Sequence, residues 1–176
     1  PATWRLIDAY GRDALGSNNL AIDRAAFLLA TPGTYTLLVE GALANTTSVD
    51  YSFQFNFVDN VPPPGLPAGD PLTIGSVMAG TLATSGDTKV YRFTLAQNSV
   101  LVFDNQTNSS AFTWSLSGPR GQEVNARNLY GFDKSIASST HPTLSLVAGE
   151  YALTVDATYG TGVYAFQLLD VASFAE

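Results

Sequence analysis

Apolar and polar residues alternate along several short stretches of this chain. In residues 89–95, Tyr91, Phe93 and Leu95 would share one face of an extended strand, and the residues between them the other face. The same alternation recurs in residues 112–117, 151–155 and 164–168. A period of two is typical of half-buried β-strands, and Gly, Asn, Asp and Pro separate these stretches at turn spacing. No window carries a sustained helical stripe, so the sequence predicts an all-β fold.

The composition supports a packed core and argues against several classes of function. Hydrophobic residues make up 45% of the chain and aromatic residues 11%, whereas disordered chains are poor in aromatics. A net charge of −7 and only 8 Lys and Arg residues argue against nucleic-acid and anionic-membrane partners. Cysteine is absent, which excludes disulfides and thiol chemistry. No apolar run is long enough for a spanning helix, so no membrane insertion is predicted.

The chain contains an internal repeat. Three blocks match in order: residues 3–6 with 113–116, 32–39 with 148–155, and 51–55 with 164–168. Residues 3–58 therefore repeat residues 113–171. Trp4 and Trp114 occupy equivalent places on apolar faces, and we expect both in the core rather than at a ligand site.

The two copies are unequal, and this predicts the domain organisation. The second copy has further strands before its Trp, whereas the first copy starts at Trp4. Residues 59–70 contain four prolines, which indicates a stiff, extended linker. We expect residues 1–58 to form a partial β-sandwich repeat, its C-terminal half, and residues 71–176 to form a complete β-sandwich.

A half sandwich leaves an apolar face and a strand edge without a partner. We expect the missing strands of residues 1–58 to come from a neighbouring module of the same parent protein or from a second chain. The alternative is that the first copy packs directly on the second. The chain begins at Pro1 without an initiating Met, and we expect it to be a piece cut from a longer polypeptide.

Six stretches of the sequence carry a family likeness: residues 80–87, 90–95, 102–104, 114–121, 148–155 and 162–166. They resemble the bacterial pre-peptidase C-terminal domain family and related repeats of large surface proteins. The likeness covers the second unit fully and the first only from Trp4 onward. It implies a jelly-roll-like β-sandwich, of the kind appended to secreted peptidases and adhesins. Some modules of this kind anchor collagen or polysaccharide, and some bind calcium.

The resemblance implies a non-catalytic spacer or attachment module in a large exported bacterial protein, secreted or at the cell surface, active in adhesion or substrate anchoring. Extracellular protein or polysaccharide is then the expected partner. The alternative is a carbohydrate- or protein-binding module appended to a secreted hydrolase. No catalytic residues are predicted, because the single histidine, His141, lacks the sequence context of a catalytic triad.

Calcium is the candidate cofactor, because it binds oxygen ligands from Asp side chains and loop carbonyls. Asp70, Asp87 and Asp104 lie in predicted turns of the second unit and are the candidate metal ligands. The alternative is that each carboxylate caps its own turn. Tyr130 and Tyr159 are the candidate ligand-binding residues, because they lie in predicted loops and tyrosine buries much contact area at low entropic cost.

Overall fold

The computed structural model describes residues 2–29, 31–42, 44, 50–59, 65–130 and 143–174. The described residues form strands and a short 3-10 helix, Val171–Phe174, which confirms the all-β fold. The chain divides into two compact units, Pro1–Pro64 and Gly65–Glu176, here called unit 1 and unit 2. The division lies within the residues where the sequence predicts a linker.

Unit 2 is a β-sandwich of two sheets. Its strands are β4 (Asp70–Pro71), β5 (Val77–Leu82), β6 (Thr88–Leu95), β7 (Ser99–Asn105), β8 (Thr113–Gly118), β9 (Gly121–Asn128), β10 (Thr143–Leu146), β11 (Gly149–Asp156) and β12 (Gly162–Asp170). One sheet has the order β4-β6-β11-β8-β9 and the other β10-β7-β12-β5. From β5 onward the chain changes sheet at every connection except β8–β9, so the jelly-roll-like arrangement expected from the sequence is confirmed.

The alternating side chains of the two sheets form one core between them. The ring of Phe103 on β7 stacks on Trp114 of the facing sheet, with 4.0 Å between the ring centroids, and also on Phe166 of β12. Tyr151, Leu153 and other inward residues of β11 are fully buried. Burial of large aromatic groups is the main favourable contribution to folding of such a domain.

Unit 1 contains a sheet of three described strands. They are β1 (Thr3–Ile7), β2 (Asn18–Asn19) and β3 (Thr36–Glu40), in the order β2-β1-β3. Trp4 and Leu6 on β1 are buried, and the ring of Trp4 contacts those of Phe27 and Phe55. The core positions expected for Trp4 and Trp114 are therefore confirmed.

The internal repeat has a structural counterpart in the pairing of strands. Trp4 lies opposite Val39, just as Trp114 lies opposite Val155 in unit 2. The following pairs, Leu6 with Leu37 and Leu116 with Leu153, agree as well. The sheet β2-β1-β3 is thus the counterpart of β9-β8-β11.

The turns before β3 and β11 also match in detail. The hydroxyl of Tyr35 donates to the carbonyl oxygen of Thr31 at 2.6 Å, and that of Tyr151 donates to Val147 at 2.7 Å. Each tyrosine follows a glycine with positive φ by two residues, Gly33 at 137° and Gly149 at 143°. Such φ values are open to glycine and strained for other residues.

One block of the repeat differs in structure between the two copies. Residues 51–55 align with β12, but residues 50–59 form no strand, and the side chains of Tyr51 and Phe53 are 58% and 53% exposed. Their counterparts Tyr164 and Phe166 are 2% and 0% exposed. The physical reason is the absence of neighbours: β12 pairs with β5 and β7, and the described sheet of unit 1 has no counterpart of either.

The last residue of the linker predicted for residues 59–70 lies in a strand and not in a linker. Asp70 already belongs to β4, which pairs in parallel with β6 opposite Tyr91. The backbone of Leu72 continues this contact, because its N–H donates to the carbonyl oxygen of Arg92 at 2.7 Å. The last linker residue is therefore part of the five-stranded sheet.

Candidate functional site

Two exposed tyrosines lie at one loop end of unit 2, on either side of Ala111 and Phe112. The N–H of Leu129, next to Tyr130, donates to the carbonyl oxygen of Phe112 at 3.1 Å. The N–H of Tyr159 donates to the carbonyl oxygen of Ala111 at 2.9 Å. The structure therefore brings the backbone segments of the two candidate tyrosines together, although 29 residues separate them in sequence.

Both tyrosine rings face solvent, next to backbone groups that are hydrogen-bonded. Tyr130 is 65% exposed and Tyr159 is 73% exposed. By contrast, Leu129 is fully buried, and its carbonyl oxygen accepts hydrogen bonds from the amide nitrogen of Ser109 and the side-chain nitrogen of Asn105. Exposed aromatic rings are a suitable surface for sugar rings or for apolar groups of a protein.

An open groove lies beside this loop end, on the four-stranded sheet. It is lined by Ala79–Thr81 of β5, by Val163–Ala165 of β12, and by Gln106 and Thr107. The hydroxyl of Thr107 donates to the carbonyl oxygen of Ala165 at 3.0 Å, and the N–H of Gln106 donates to the same oxygen at 3.0 Å. The groove is shallow and mostly apolar. It therefore offers a contact surface and not an enclosed pocket.

The three candidate metal ligands lie on different elements, and each already has a protein partner. Asp70 on β4 pairs with the ammonium group of Lys89 at 2.6 Å. Asp87 accepts the N–H of Thr84 at 2.8 Å, as in the turn-capping alternative. Asp104 on β7 accepts a hydrogen bond from the side-chain amide of Gln167 at 2.8 Å.

No group of three His, Cys, Asp or Glu side chains that could hold a metal occurs in the described ranges. Calcium binding by Asp70, Asp87 or Asp104 stays a prediction. His141 lies outside the residues that the structure describes.

Two basic residues of β6 fix the start of unit 2 to the sandwich. The guanidinium of Arg92 donates to the carbonyl oxygens of Leu66 and Pro67, at 3.3 and 3.0 Å, and to the Glu150 carboxylate at 2.8 Å. Lys89 binds Asp70, and this hydrogen bond raises the pKa of the Lys89 ammonium group. Incoming residues 65–71 are therefore joined to β6 by both side chains and backbone.

The sequence did not predict these contacts of Lys89 and Arg92 with residues 65–71. Arg92 alternates to the face opposite Tyr91 and Phe93, where a charged residue ordinarily faces water, and nothing local identifies its partners or that of Lys89. The one available signal was the concentration of two of the 8 basic residues on a single strand.

Comparisons with known proteins give a likeness among solved structures. No family model matches the chain, and no curated protein matches it. Among solved structures, it is similar to the pre-peptidase C-terminal domain of a collagenase from Bacillus anthracis, with 18% identity and a TM-score of 0.37. This match covers 60% of the present chain and 99% of the other chain. Within the described residues, no helix is long and apolar enough to cross a membrane.

Proposed function

We propose that this chain is a non-catalytic attachment module of a large exported bacterial protein, which holds that protein to an extracellular protein or polysaccharide. The observation that carries the proposal is the anchoring of residues 65–71 on β6. Arg92 binds two carbonyl oxygens of this segment, and Asp70 lies in the sheet beside Tyr91. These contacts hold residues 65–71 in one orientation on β6.

The start of β5 and the end of β12 lie side by side in unit 2. The N–H of Gly75 donates to the carbonyl oxygen of Leu168 at 2.7 Å, and Val77 at the start of β5 lies opposite Gln167 near the end of β12. The polypeptide therefore enters β5 beside the point where it leaves β12. Because β4 runs parallel to β6, the anchored residues 65–71 run along the sandwich toward this end before β5 begins.

The test uses the absence of native cysteine in the chain. Ala68→Cys and Thr94→Cys place two spin labels, one on the incoming segment and one on β6. Both positions are exposed. We expect a narrow distribution of distances between the labels, which broadens when Lys89→Ala and Arg92→Ala are added. A distribution that is equally broad with Lys89 and Arg92 in place would contradict a fixed orientation.

Attachment itself is tested by retention of the full chain on insoluble collagen and on bacterial and plant polysaccharides. We expect saturable retention on one of these materials without release of soluble fragments. Retention on none of them, or hydrolysis of any, would contradict the proposal.

The second candidate function is specific binding at the loop end, with a carbohydrate or protein ligand. It is favoured by the backbone hydrogen bonds that join Tyr159 and Leu129, the neighbour of Tyr130, to Ala111 and Phe112, and by the exposure of both tyrosines. Tyr130→Ala and Tyr159→Ala would then weaken retention by about tenfold or more, as removal of an aromatic contact does. Tyr10→Ala, at an exposed tyrosine of unit 1, is the matched control and should leave retention unchanged.

A further inference from the structure

We propose that unit 1 is an acceptor for the N-terminal half of a homologous repeat, a segment with the strand pattern of β5–β7. This inference does not depend on the attachment role. It rests on the equivalence of β2-β1-β3 and β9-β8-β11, which share the pairing of Trp4 with Val39 and of Trp114 with Val155.

The first acceptor surface is the free side of β3. In unit 2, β11 lies between β8 and β6, and it pairs with β6 over its whole length. In the described sheet of unit 1, β3 is the outermost strand. An unprotected edge strand offers its backbone N–H and C=O groups to an added strand.

The repeat also defines the register of the added strand. On β11, Tyr151 lies opposite Phe93 and Leu153 lies opposite Tyr91. Their counterparts on β3 and in the turn before it are Tyr35 and Leu37. A β6-like strand would therefore run antiparallel to β3, with its two aromatic residues beside Tyr35 and Leu37.

The second acceptor surface is the aromatic segment at residues 51–57. Phe53, Phe55 and Phe57 are 53%, 53% and 83% exposed, and the rings of Tyr51 and Phe53 stack on each other. The counterpart β12 is covered on both sides, by β5 and β7. Strands with the β5 and β7 pattern would bring 51–57 into a sheet and cover these rings, whose burial would favour association.

A second copy of this chain is a poor donor of such strands. To release its own β5–β7, unit 2 would have to expose Leu101 and separate Phe103 from Trp114 and Phe166. Loss of such contacts strongly destabilises a core for each large side chain removed from it. The donor is therefore a half-repeat outside this chain, not a swapped segment of a second copy.

The experiment measures amide hydrogen exchange in the full chain with and without a synthetic peptide of residues 70–105. We expect the peptide to slow exchange about tenfold or more at 36–40 and 51–57, as added backbone hydrogen bonds do, and to leave β11 and β12 unchanged. The control peptide carries Tyr91→Asp and Phe93→Asp and should have no effect. Equal protection by both peptides, or none by either, would overturn the proposal.

Chain variants give an independent test. Phe53→Ser with Phe57→Ser removes exposed rings without opening a core, and should weaken peptide binding about tenfold, since buried aromatic groups dominate such contacts. Ile22→Ser, at another exposed apolar residue of unit 1, is the matched control and should leave binding unchanged. Two results with the chain alone would overturn the proposed donor. One is slow exchange in the monomer at those amides of 36–40 that do not bond to β1. The other is a dimer by light scattering in which the same amides are protected.

Discussion

The hydroxyl groups of Tyr91 and Tyr164 lie 2.7 Å apart in the core of unit 2 and join β6 of one sheet to β12 of the other. Both residues are 2% exposed. A buried hydroxyl that loses its partner keeps the full cost of its desolvation, whereas two phenylalanines would need no hydrogen bond. The hydrogen bond between Tyr91 and Tyr164 therefore couples the stability of the two sheets.

The two single substitutions, Tyr91→Phe and Tyr164→Phe, should each lower the free energy of unfolding by about 1–2 kcal/mol. The double variant should lose less than the sum of the two, because it leaves no unpaired hydroxyl. Denaturant unfolding of the four proteins measures this double-mutant cycle. Strictly additive losses would show that the hydroxyl pair contributes no coupling.

Stability should fall in alkaline solution because of the same pair. Burial and the hydrogen bond with Tyr91 raise the pKa of Tyr164 above its ordinary value of 10.0. The stability that this group contributes is fully present below pH 10.0 and is lost as the pH rises further, because the unfolded chain then releases the proton more easily. The free energy of unfolding should therefore decline more steeply above this pH in the unaltered chain than in Tyr164→Phe. Identical slopes would contradict the assignment.

Equivalent phenylalanines of the two repeats should respond differently to truncation. Phe166→Ala removes a fully buried ring that contacts Tyr91 and Phe103, and should destabilise unit 2 by about 3–5 kcal/mol. Phe53→Ala removes a half-exposed ring and should cost less than about 1 kcal/mol. Thermal unfolding of both variants checks this. Comparable losses would mean that residues 51–55 belong to a closed core.

Two glycines near the start of unit 2, Gly69 and Gly65, allow a matched test of how closely the incoming segment packs on β6. A Cβ atom at Gly69 would lie 2.6 Å from the carbonyl oxygen of Val90, whereas at Gly65 it would have no neighbour within 4 Å. Gly69→Ala should displace the incoming segment from β6 and destabilise unit 2 by about 1–3 kcal/mol, as overpacking does. Gly65→Ala should leave the unfolding midpoint unchanged. If Gly69→Ala left the stability of unit 2 unchanged, the backbone near Val90 would have to move aside at little cost.

The strands of unit 2 could be predicted from the sequence because their pattern is local. Tyr91, Phe93 and Leu95 alternate with polar residues, and all three are buried as expected. The repeat added the correspondence of Trp4 with Trp114, which the strand registers confirm. The repeat does not extend to the structure of 51–55, which aligns with β12 but forms no strand, because an alternating segment becomes a strand only where neighbouring strands accept its hydrogen bonds.

The candidate site depended on contacts that no local pattern encodes. The proximity of the Tyr130 and Tyr159 segments follows from two backbone hydrogen bonds to Ala111 and Phe112. Sequence alone determined the all-β class, the unequal repeat and the buried faces, since these follow from residue periodicity and size. Only the tertiary structure decided which residues meet at the loop end and which strand edges have partners, because those contacts join residues far apart in the chain.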